Sequence, residues 1–125
     1  MKFYSTNNPP SHKATAGKKN QLVGFRDALM SGLASDGGLF LPESFPRLPS
    51  SFLRNLSEKS FQEIALAVSR KYIKDIPEKD LKKIIRESFD FEVPLRKISE
   101  KLYVLELFHG PTLAFKDFGA RFMAR

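Results

Sequence analysis

The sequence of 125 residues contains no cysteine and no tryptophan, and its two histidines are His12 and His109. Without cysteine there can be no disulfide scaffold, cysteine-ligated zinc, iron–sulfur cluster or thiol nucleophile. Two histidines are too few for a metal site built mainly from imidazole ligands, so we expect no metal. No apolar run approaches the roughly 20 residues of a membrane-spanning helix, so we expect no membrane association. Residues 1–10 lack the apolar region of a secretory signal, and we expect a cytoplasmic protein.

Basic residues are in excess, but they are not concentrated in one stretch. The formal net charge is +7. Lys and Arg outnumber Asp and Glu by eight to four in residues 1–60, ten to eight in 61–101 and three to two in 102–125. Proteins that bind a phosphate backbone usually gather their basic residues on one face. The spread therefore favours a mildly basic, solvated surface, and a small nucleic-acid-binding protein is the weaker alternative.

The first half of the sequence predicts short strands around one helix. We expect strands at Lys2–Ser5 and Leu39–Leu41, the second closed by Pro42, with an exposed loop over residues 13–21. Helical spacing of apolar residues begins at Phe25, and the turn Ser35–Gly38 is expected to end that helix. Residues 42–57, rich in proline and serine, predict a loop over the core.

Two amphipathic helices are predicted in the middle of the chain. Ser60 and Glu63 have the spacing of a capping box, which begins a helix whose apolar stripe continues to Tyr72. A second helix begins near Pro77, because proline suits a first turn, and its apolar stripe ends at Phe89. We expect the two helices to pair antiparallel across their short connection.

The last third predicts a strand followed by a helix. Residues 90–100 look irregular, whereas Leu102–Phe108 has the composition of a largely buried strand. A turn follows, and residues 115–125 have helical periodicity with Phe115, Phe118 and Phe122 on one side. An apolar strand followed by a helix is typical of a parallel α/β sheet, yet no second parallel strand follows. We therefore expect a fragment whose last strand and helix lack packing partners.

Lys116 is the candidate reactive residue. It is predicted at a helix N-terminus, where the helix dipole disfavours a cation, and between Phe115 and Phe118, which would reduce its solvation. Both effects favour the neutral amine, which is the form that attacks a carbonyl carbon. The alternative is a surface lysine beside Asp117 that merely begins an amphipathic helix. The residues alone do not decide between the two.

Two motifs in the right order give this sequence a family resemblance. Residues 106–122, ELFHGPTLAFKDFGARF, closely resemble the segment of threonine synthases that carries their pyridoxal-phosphate lysine. Residues 24–29, GFRDAL, and 32–43, GLASDGGLFLPE, are similar to the N-terminal signature of the same family. Residues 2–6 are similar to its usual start. The resemblance runs from end to end and is weakest at residues 9–23 and 44–60.

The resemblance implies a carbon–oxygen lyase that acts on phosphates with pyridoxal 5′-phosphate. Such an enzyme converts O-phospho-L-homoserine and water to L-threonine and inorganic phosphate, the last step of threonine biosynthesis. Lys116 then corresponds to the lysine that binds the cofactor and afterwards moves protons on the substrate carbons. Asp117 would be a supporting or helix-start residue. His109 and Thr112 would face the same place, where they touch substrate, orient Lys116 or simply stabilise the turn.

The resemblance also implies a division of the chain. Residues 1–95 would form an α+β N-terminal domain, and residues 96–125 the first strand and helix of a truncated three-layer α/β pyridoxal-phosphate domain. In the family the loop that binds the cofactor phosphate lies after the lysine and is missing here, so we expect the chain alone to be inactive. The alternative function is a non-catalytic N-terminal module for binding or assembly. The expected state of the parent enzyme is a monomer or homodimer.

Overall fold

A computed structural model describes residues 1–9 and 22–125. The predicted loop at residues 13–21 lies outside the described residues. The chain divides into two compact units: Met1–Leu53 with Ala67–Pro77, and Arg54–Leu66 with Glu78–Arg125. Short strands and helices confirm the α+β class. Among the described residues, no helix has the length and apolar character needed to cross a membrane.

The first unit is organised around a two-stranded antiparallel sheet. Its elements are β1 (Phe3–Ser5), α1 (Phe25–Ser31), β2 (Phe40–Pro42) and α2 (Ser50–Arg54). Strand β1 pairs with β2 so that Phe3 lies opposite Pro42 and Ser5 opposite Phe40. Phe3 and Ala28 are buried, as is Ile73. Both short strands predicted from the sequence are therefore confirmed.

Helix α1 ends earlier than we predicted. Gly32 follows it with φ of 67° and donates its N–H to the carbonyl of Ala28. Glycine adopts this left-handed backbone without the steric cost of a side chain, so the helix ends there and not at Ser35–Gly38. The later turn has another role, because one carboxylate oxygen of Asp36 accepts hydrogen bonds from Gly38 N and Ser5 Oγ.

The expectation of a loop throughout residues 42–57 is wrong. Helix α2 occupies Ser50–Arg54, and a 3₁₀ turn follows at Leu56–Glu58. The carbonyl of Pro49 accepts the N–H of Leu53 at 3.1 Å, so the first helical bond forms directly after the last proline of the segment. A helix this short has too few residues to produce a clear helical period, which explains why the pattern did not reveal it.

The remaining elements are α3 (Phe61–Tyr72), α4 (Glu78–Ser88), β3 (Leu95–Ser99), β4 (Leu102–Leu105) and α5 (Lys116–Met123). The capping box of α3 is confirmed: Ser60 N donates to Glu63 Oε2 at 2.8 Å, and Glu63 N donates to Ser60 Oγ at 3.2 Å. The hydrogen bonds from Ser60 hold the pKa of the Glu63 carboxyl below its ordinary range. Both amphipathic helices lie close to their predicted bounds.

The core of the second unit consists of α4 and a group of phenylalanine rings. Leu81 and Ile85 of α4 are each 1% exposed. The rings that contact one another at centroid distances of 5.1 to 6.0 Å are those of Phe61, Phe89, Phe91, Phe118 and Phe122. Among the described helices, α4 packs most extensively against α5. We had predicted that α4 would pair with α3. Phe118 and Phe122 of α5 thus have packing partners, contrary to our expectation.

The segment before the last helix is an antiparallel hairpin. Strand β3 begins directly after Pro94, where we expected irregular structure, and Leu95 pairs with Leu105 of β4. All residues of both strands are exposed. The predicted strand at Leu102–Phe108 is therefore present but shorter and exposed rather than buried. Its neighbour is antiparallel because the two strands are joined by a turn of two residues, Glu100 and Lys101, which brings their ends side by side.

Candidate functional site

Lys116 is the first residue of α5, as predicted, and it is exposed. Phe115 beside it is 67% exposed, and the Phe118 ring packs on Phe61, Phe89 and Phe91. This contradicts the expectation that the two flanking phenylalanines shield the amine from water. Within residues 1–9 and 22–125, the amine of Lys116 has no hydrogen bond or ion pair, so it is available to an incoming carbonyl group.

Asp117 binds the turn that precedes Lys116. Its side chain is buried, with 4% of the residue exposed. One carboxylate oxygen accepts the backbone N–H of Thr112 at 2.9 Å, and the other accepts the Thr112 hydroxyl at 2.7 Å. The hydroxyl hydrogen bond from Thr112 is the main reason why the pKa of the Asp117 carboxyl lies below its ordinary range. The pair therefore closes residues 112–117 into a small ring that contains Lys116.

The turn before α5 is shaped by the absence of a side chain at Gly110 and by an unusual backbone angle at Leu113. Gly110 is buried, and a Cβ built on it would lie 2.7 Å from the Cβ and 2.9 Å from the Cγ of Asp117. Glycine is required there because the carboxylate lies directly against the backbone. Leu113 has φ of 57°, a left-handed conformation that costs a leucine on the order of 1 kcal/mol. Asp117 binds Thr112, the residue before Leu113, and so helps to hold this turn.

His109 is tied to the hairpin rather than to Lys116. Its Nε2 lies 2.7 Å from Glu106 Oε2, and Arg96 Nε lies 3.7 Å from the same oxygen. The ring of Phe108 stacks on the imidazole at a centroid distance of 4.7 Å. In the described part of the chain, no hydrogen bond joins His109 or Thr112 to Lys116. Of the residues expected at one site, the structure brings together Asp117 and Thr112, and both support the turn.

Arg121 is a residue that sequence reasoning missed. Its guanidinium donates to the carbonyls of Ser88 and Glu87, both at 2.8 Å, and to Asp90 Oδ1 at 2.6 Å. These partners lie 31 to 34 positions away in the sequence, so no local pattern pointed to them. The sequence did contain one cue, a basic residue in the helix that carries the candidate lysine.

Asn at position 117 is expected to make the second unit less stable at neutral pH and to remove part of its acid sensitivity. Because the pKa of Asp117 is lowered in the folded chain, its stabilising contribution is complete above the ordinary pKa of an aspartate. The contribution disappears as the pH falls through the folded pKa. The urea midpoints of the wild type and Asp117→Asn should therefore converge below about pH 4.

The control for this prediction is Asp80→Asn, which changes an exposed aspartate in the first turn of α4. It should shift the urea midpoint less at neutral pH and converge less on acidification. Amide hydrogen exchange at Thr112 supplies a local readout, since its N–H is the donor to Asp117. Equal midpoints of wild type and Asp117→Asn at neutral pH would contradict the stabilising role.

Comparisons with known proteins bear on the whole chain. Residues 11–89 match the sequence profile of the family described as "Threonine synthase N terminus". The threonine synthase of Schizosaccharomyces pombe is 43% identical over 106 residues, which are 79% of this chain and 21% of that protein. The pyridoxal-phosphate-bound threonine synthase of Brucella melitensis superposes with a TM-score of 0.85 at 39% identity, over 99% of this chain and 26% of that one.

A second solved structure, the threonine synthase of Escherichia coli, superposes with a TM-score of 0.84 at 34% identity, over 99% of this chain and 27% of that one. The chain thus spans about a fifth to a quarter of the length of the relatives it matches. The profile match covers well over half of the sequence and includes α1, α3 and α4. On these grounds the chain belongs to the threonine synthase family.

Proposed function

We propose that this chain is the N-terminal part of a threonine synthase and that Lys116 is its catalytic, cofactor-binding lysine. The reaction is the conversion of O-phospho-L-homoserine and water to L-threonine and inorganic phosphate, a carbon–oxygen lyase reaction on a phosphate ester. The observation that carries the proposal is an exposed lysine at the first residue of α5, next to a buried carboxylate that fixes the preceding turn. The family membership supplies the context for that geometry.

The residues around Lys116 suit one part of pyridoxal phosphate. The cofactor aldehyde requires an accessible amine, and Lys116 is exposed and free of ion pairs within the described residues. The cofactor phosphate requires several converging N–H groups or cations, and in the threonine synthase family the loop that supplies them follows the lysine. We therefore assign the covalent attachment to this chain and the phosphate contacts to the portion of a threonine synthase that it does not span.

Lys116 has two tasks in this proposal. Its amine holds the cofactor until the substrate amine takes its place, and the freed Nζ then accepts and returns protons at the substrate carbons. Pyridoxal phosphate, when bound, supplies an electron sink for carbanion chemistry. Asp117 and Thr112 contribute by holding the turn before α5, so that Lys116 begins the helix in one orientation. A fixed starting geometry is what proton transfer at a defined carbon needs.

The proposed division of the chain follows the family. Residues 1–95 form the N-terminal domain, and residues 96–125 begin the three-layer α/β cofactor domain. That boundary lies directly after Leu95, the first residue of β3, so almost the whole hairpin belongs to the second part. The complete activity needs the remaining three-quarters of the length of a threonine synthase, and the 125 residues alone form no threonine. The cytoplasmic location, the monomeric or homodimeric state and the absence of a nucleic-acid partner stay predictions.

Covalent labelling tests the role of Lys116. The chain is incubated with pyridoxal phosphate and reduced with borohydride, and peptide mass spectrometry locates the pyridoxyl groups. We expect more adduct at Lys116 than at exposed Lys101, because the ring closed by Thr112 and Asp117 holds Lys116 at the start of α5, whereas Lys101 lies in a hairpin turn. Lys116→Arg should abolish that adduct, whereas Lys101→Arg should leave it unchanged. Equal labelling of the two lysines in the wild type would contradict the proposal.

The second candidate, a non-catalytic binding or assembly module, is favoured by the exposed hairpin. Leu95, Ile98, Leu102 and Leu105 are each more than half exposed on two short strands. An apolar surface of this kind commonly marks an interaction site. Selective labelling of Lys116 separates the candidates, because a module without catalytic function has no reason to favour one exposed lysine over another.

A further inference from the structure

Arg121 joins the helix that carries Lys116 to the C-terminal end of α4. Its side chain is 20% exposed. Nε donates to Ser88 O at 2.8 Å, and Nη2 donates to Glu87 O at 2.8 Å and to Asp90 Oδ1 at 2.6 Å. In return the hydroxyl of Ser88, a fully buried residue, donates to the carbonyl of Arg121 at 3.3 Å. The two helices are therefore hydrogen-bonded in both directions at one point.

The chemistry of a helix end explains why a cation lies there. The last carbonyls of a helix have no N–H partner within the helix, and the end carries partial negative charge. Glu87 and Ser88 are the last two residues of α4, and the guanidinium binds both of their carbonyls. The ring of Phe91 lies 5.8 Å from the guanidinium carbon, which adds a cation–π contact. Arg121 thus caps α4 from a different helix.

The same contacts restrict α5, which is eight residues long. A short helix moves as a rigid rod, with Lys116 about 7.5 Å along the axis from Arg121. Asp117 attaches the rod to the preceding turn, and Arg121 attaches it to α4. Together with the packing of Phe118 and Phe122 on neighbouring rings, these two attachments fix the direction of the rod and its rotation.

We infer that Arg121 is a positioning residue for Lys116, an inference that rests on the proposed role of Lys116. Through α5 it holds the amine in the orientation that cofactor attachment requires. The guanidinium donates through Nε and Nη2 to three acceptors at once, and a flexible lysine ammonium does not reproduce this planar, pre-organised fork. Lysine at position 121 should therefore keep the charge near Asp90 but not the orientation of α5.

The experiment compares the complete chain with Arg121→Lys, Arg121→Gln and the control Arg125→Gln. Arg125 lies just after the same helix, is more exposed than Arg121, and forms an ion pair with Glu87 at 3.4 Å. The readout is the ratio of pyridoxyl adduct at Lys116 to that at Lys101 after borohydride reduction. We expect both Arg121 variants to lower this ratio towards one, because α5 then no longer holds Lys116 in a fixed orientation. Arg125→Gln should leave the ratio unchanged.

A second readout needs no cofactor site. Limited acetylation with acetic anhydride reports the reactivity of each lysine, and amide hydrogen exchange reports the order of α5 relative to α4. We expect the Lys116-to-Lys101 acetylation ratio to change in both Arg121 variants and α5 to exchange faster, while the Leu81 region of α4 stays protected in Arg121→Lys. Unchanged ratios and unchanged exchange in α5 would overturn the inference, as would equal loss of protection throughout α4 and α5.

The two readouts separate this inference from the proposed function. If the wild type shows no preference of pyridoxal phosphate for Lys116, the proposed function fails, and acetylation with hydrogen exchange still decides whether Arg121 positions the residue. If the preference is present and survives both Arg121 substitutions, the positioning inference fails alone. Arg121→Lys keeps the test valid if Arg121→Gln does not fold.

Discussion

Alanine at position 110 is expected to lower the free energy of unfolding by about 1–3 kcal/mol, the usual cost of forcing an extra methyl group into a packed site. The added Cβ would lie 2.7 Å from the Cβ of Asp117 and 2.9 Å from its Cγ. Neither atom can move aside easily, because the first is attached to the helix backbone and the second carries the carboxylate bonded to Thr112. The turn or the start of α5 must shift instead.

Gly119→Ala is the matched control, because it adds the same methyl group to a glycine of the neighbouring helix α5. A Cβ on Gly119 would have no heavy atom within 4 Å. Gly119 lies inside α5, where alanine favours the helix by up to about 1 kcal/mol. Urea denaturation followed by circular dichroism should therefore shift in opposite directions for the two variants. A destabilisation of similar size in both would show that the close approach at Gly110 is not the cause.

The displacement of the turn in Gly110→Ala should also change the position of Lys116. Lys116 lies inside the ring closed by Thr112 and Asp117, so a displaced turn alters where α5 begins. The pyridoxyl adduct at Lys116 is then expected to fall relative to that at Lys101 in Gly110→Ala and not in Gly119→Ala. This links the fold of a single turn to the proposed chemistry.

The elements that the sequence predicted well are those specified by neighbouring residues. The capping box of Ser60 and Glu63 depends on a spacing of three, and the apolar stripes of α3 and α4 repeat every turn. The start of α4 after Pro77 follows from the missing N–H of proline. Such signals act within one or two turns of helix, so they can be read from a single sequence.

Elements whose form depends on distant partners were missed or wrongly described. Strand β3 lies in residues 95–99, LRKIS, which have no alternation, and its pairing with β4 defines it. Gly32 ended α1 because of its own backbone angle, which the pattern of apolar residues did not reveal. At the site, Lys116 was a candidate from its place at a helix start and from the family motif, but the burial of Asp117 depends on how the turn folds back. Arg121 depends on partners more than 30 positions away.

Alanine at position 81 is expected to lower the free energy of unfolding by about 3 kcal/mol. Leu81 is 1% exposed and lies in α4, the helix that packs closest to α5. Removal of its side chain leaves a cavity that the surrounding structure fills only in part. Small domains are stable by about 5–15 kcal/mol, so the loss is a large share of the total.

The control is Leu53→Ala, the same substitution in a helix where the leucine is 51% exposed. Its effect should remain within about 0.5 kcal/mol, as for most surface positions. Urea denaturation followed by circular dichroism gives both values, and hydrogen exchange shows where protection is lost. We expect Leu81→Ala to reduce protection in α4 and α5 together, since the C-terminal end of α4 binds Arg121. If α4 loses protection while α5 keeps it, then the stability of α5 does not depend on α4.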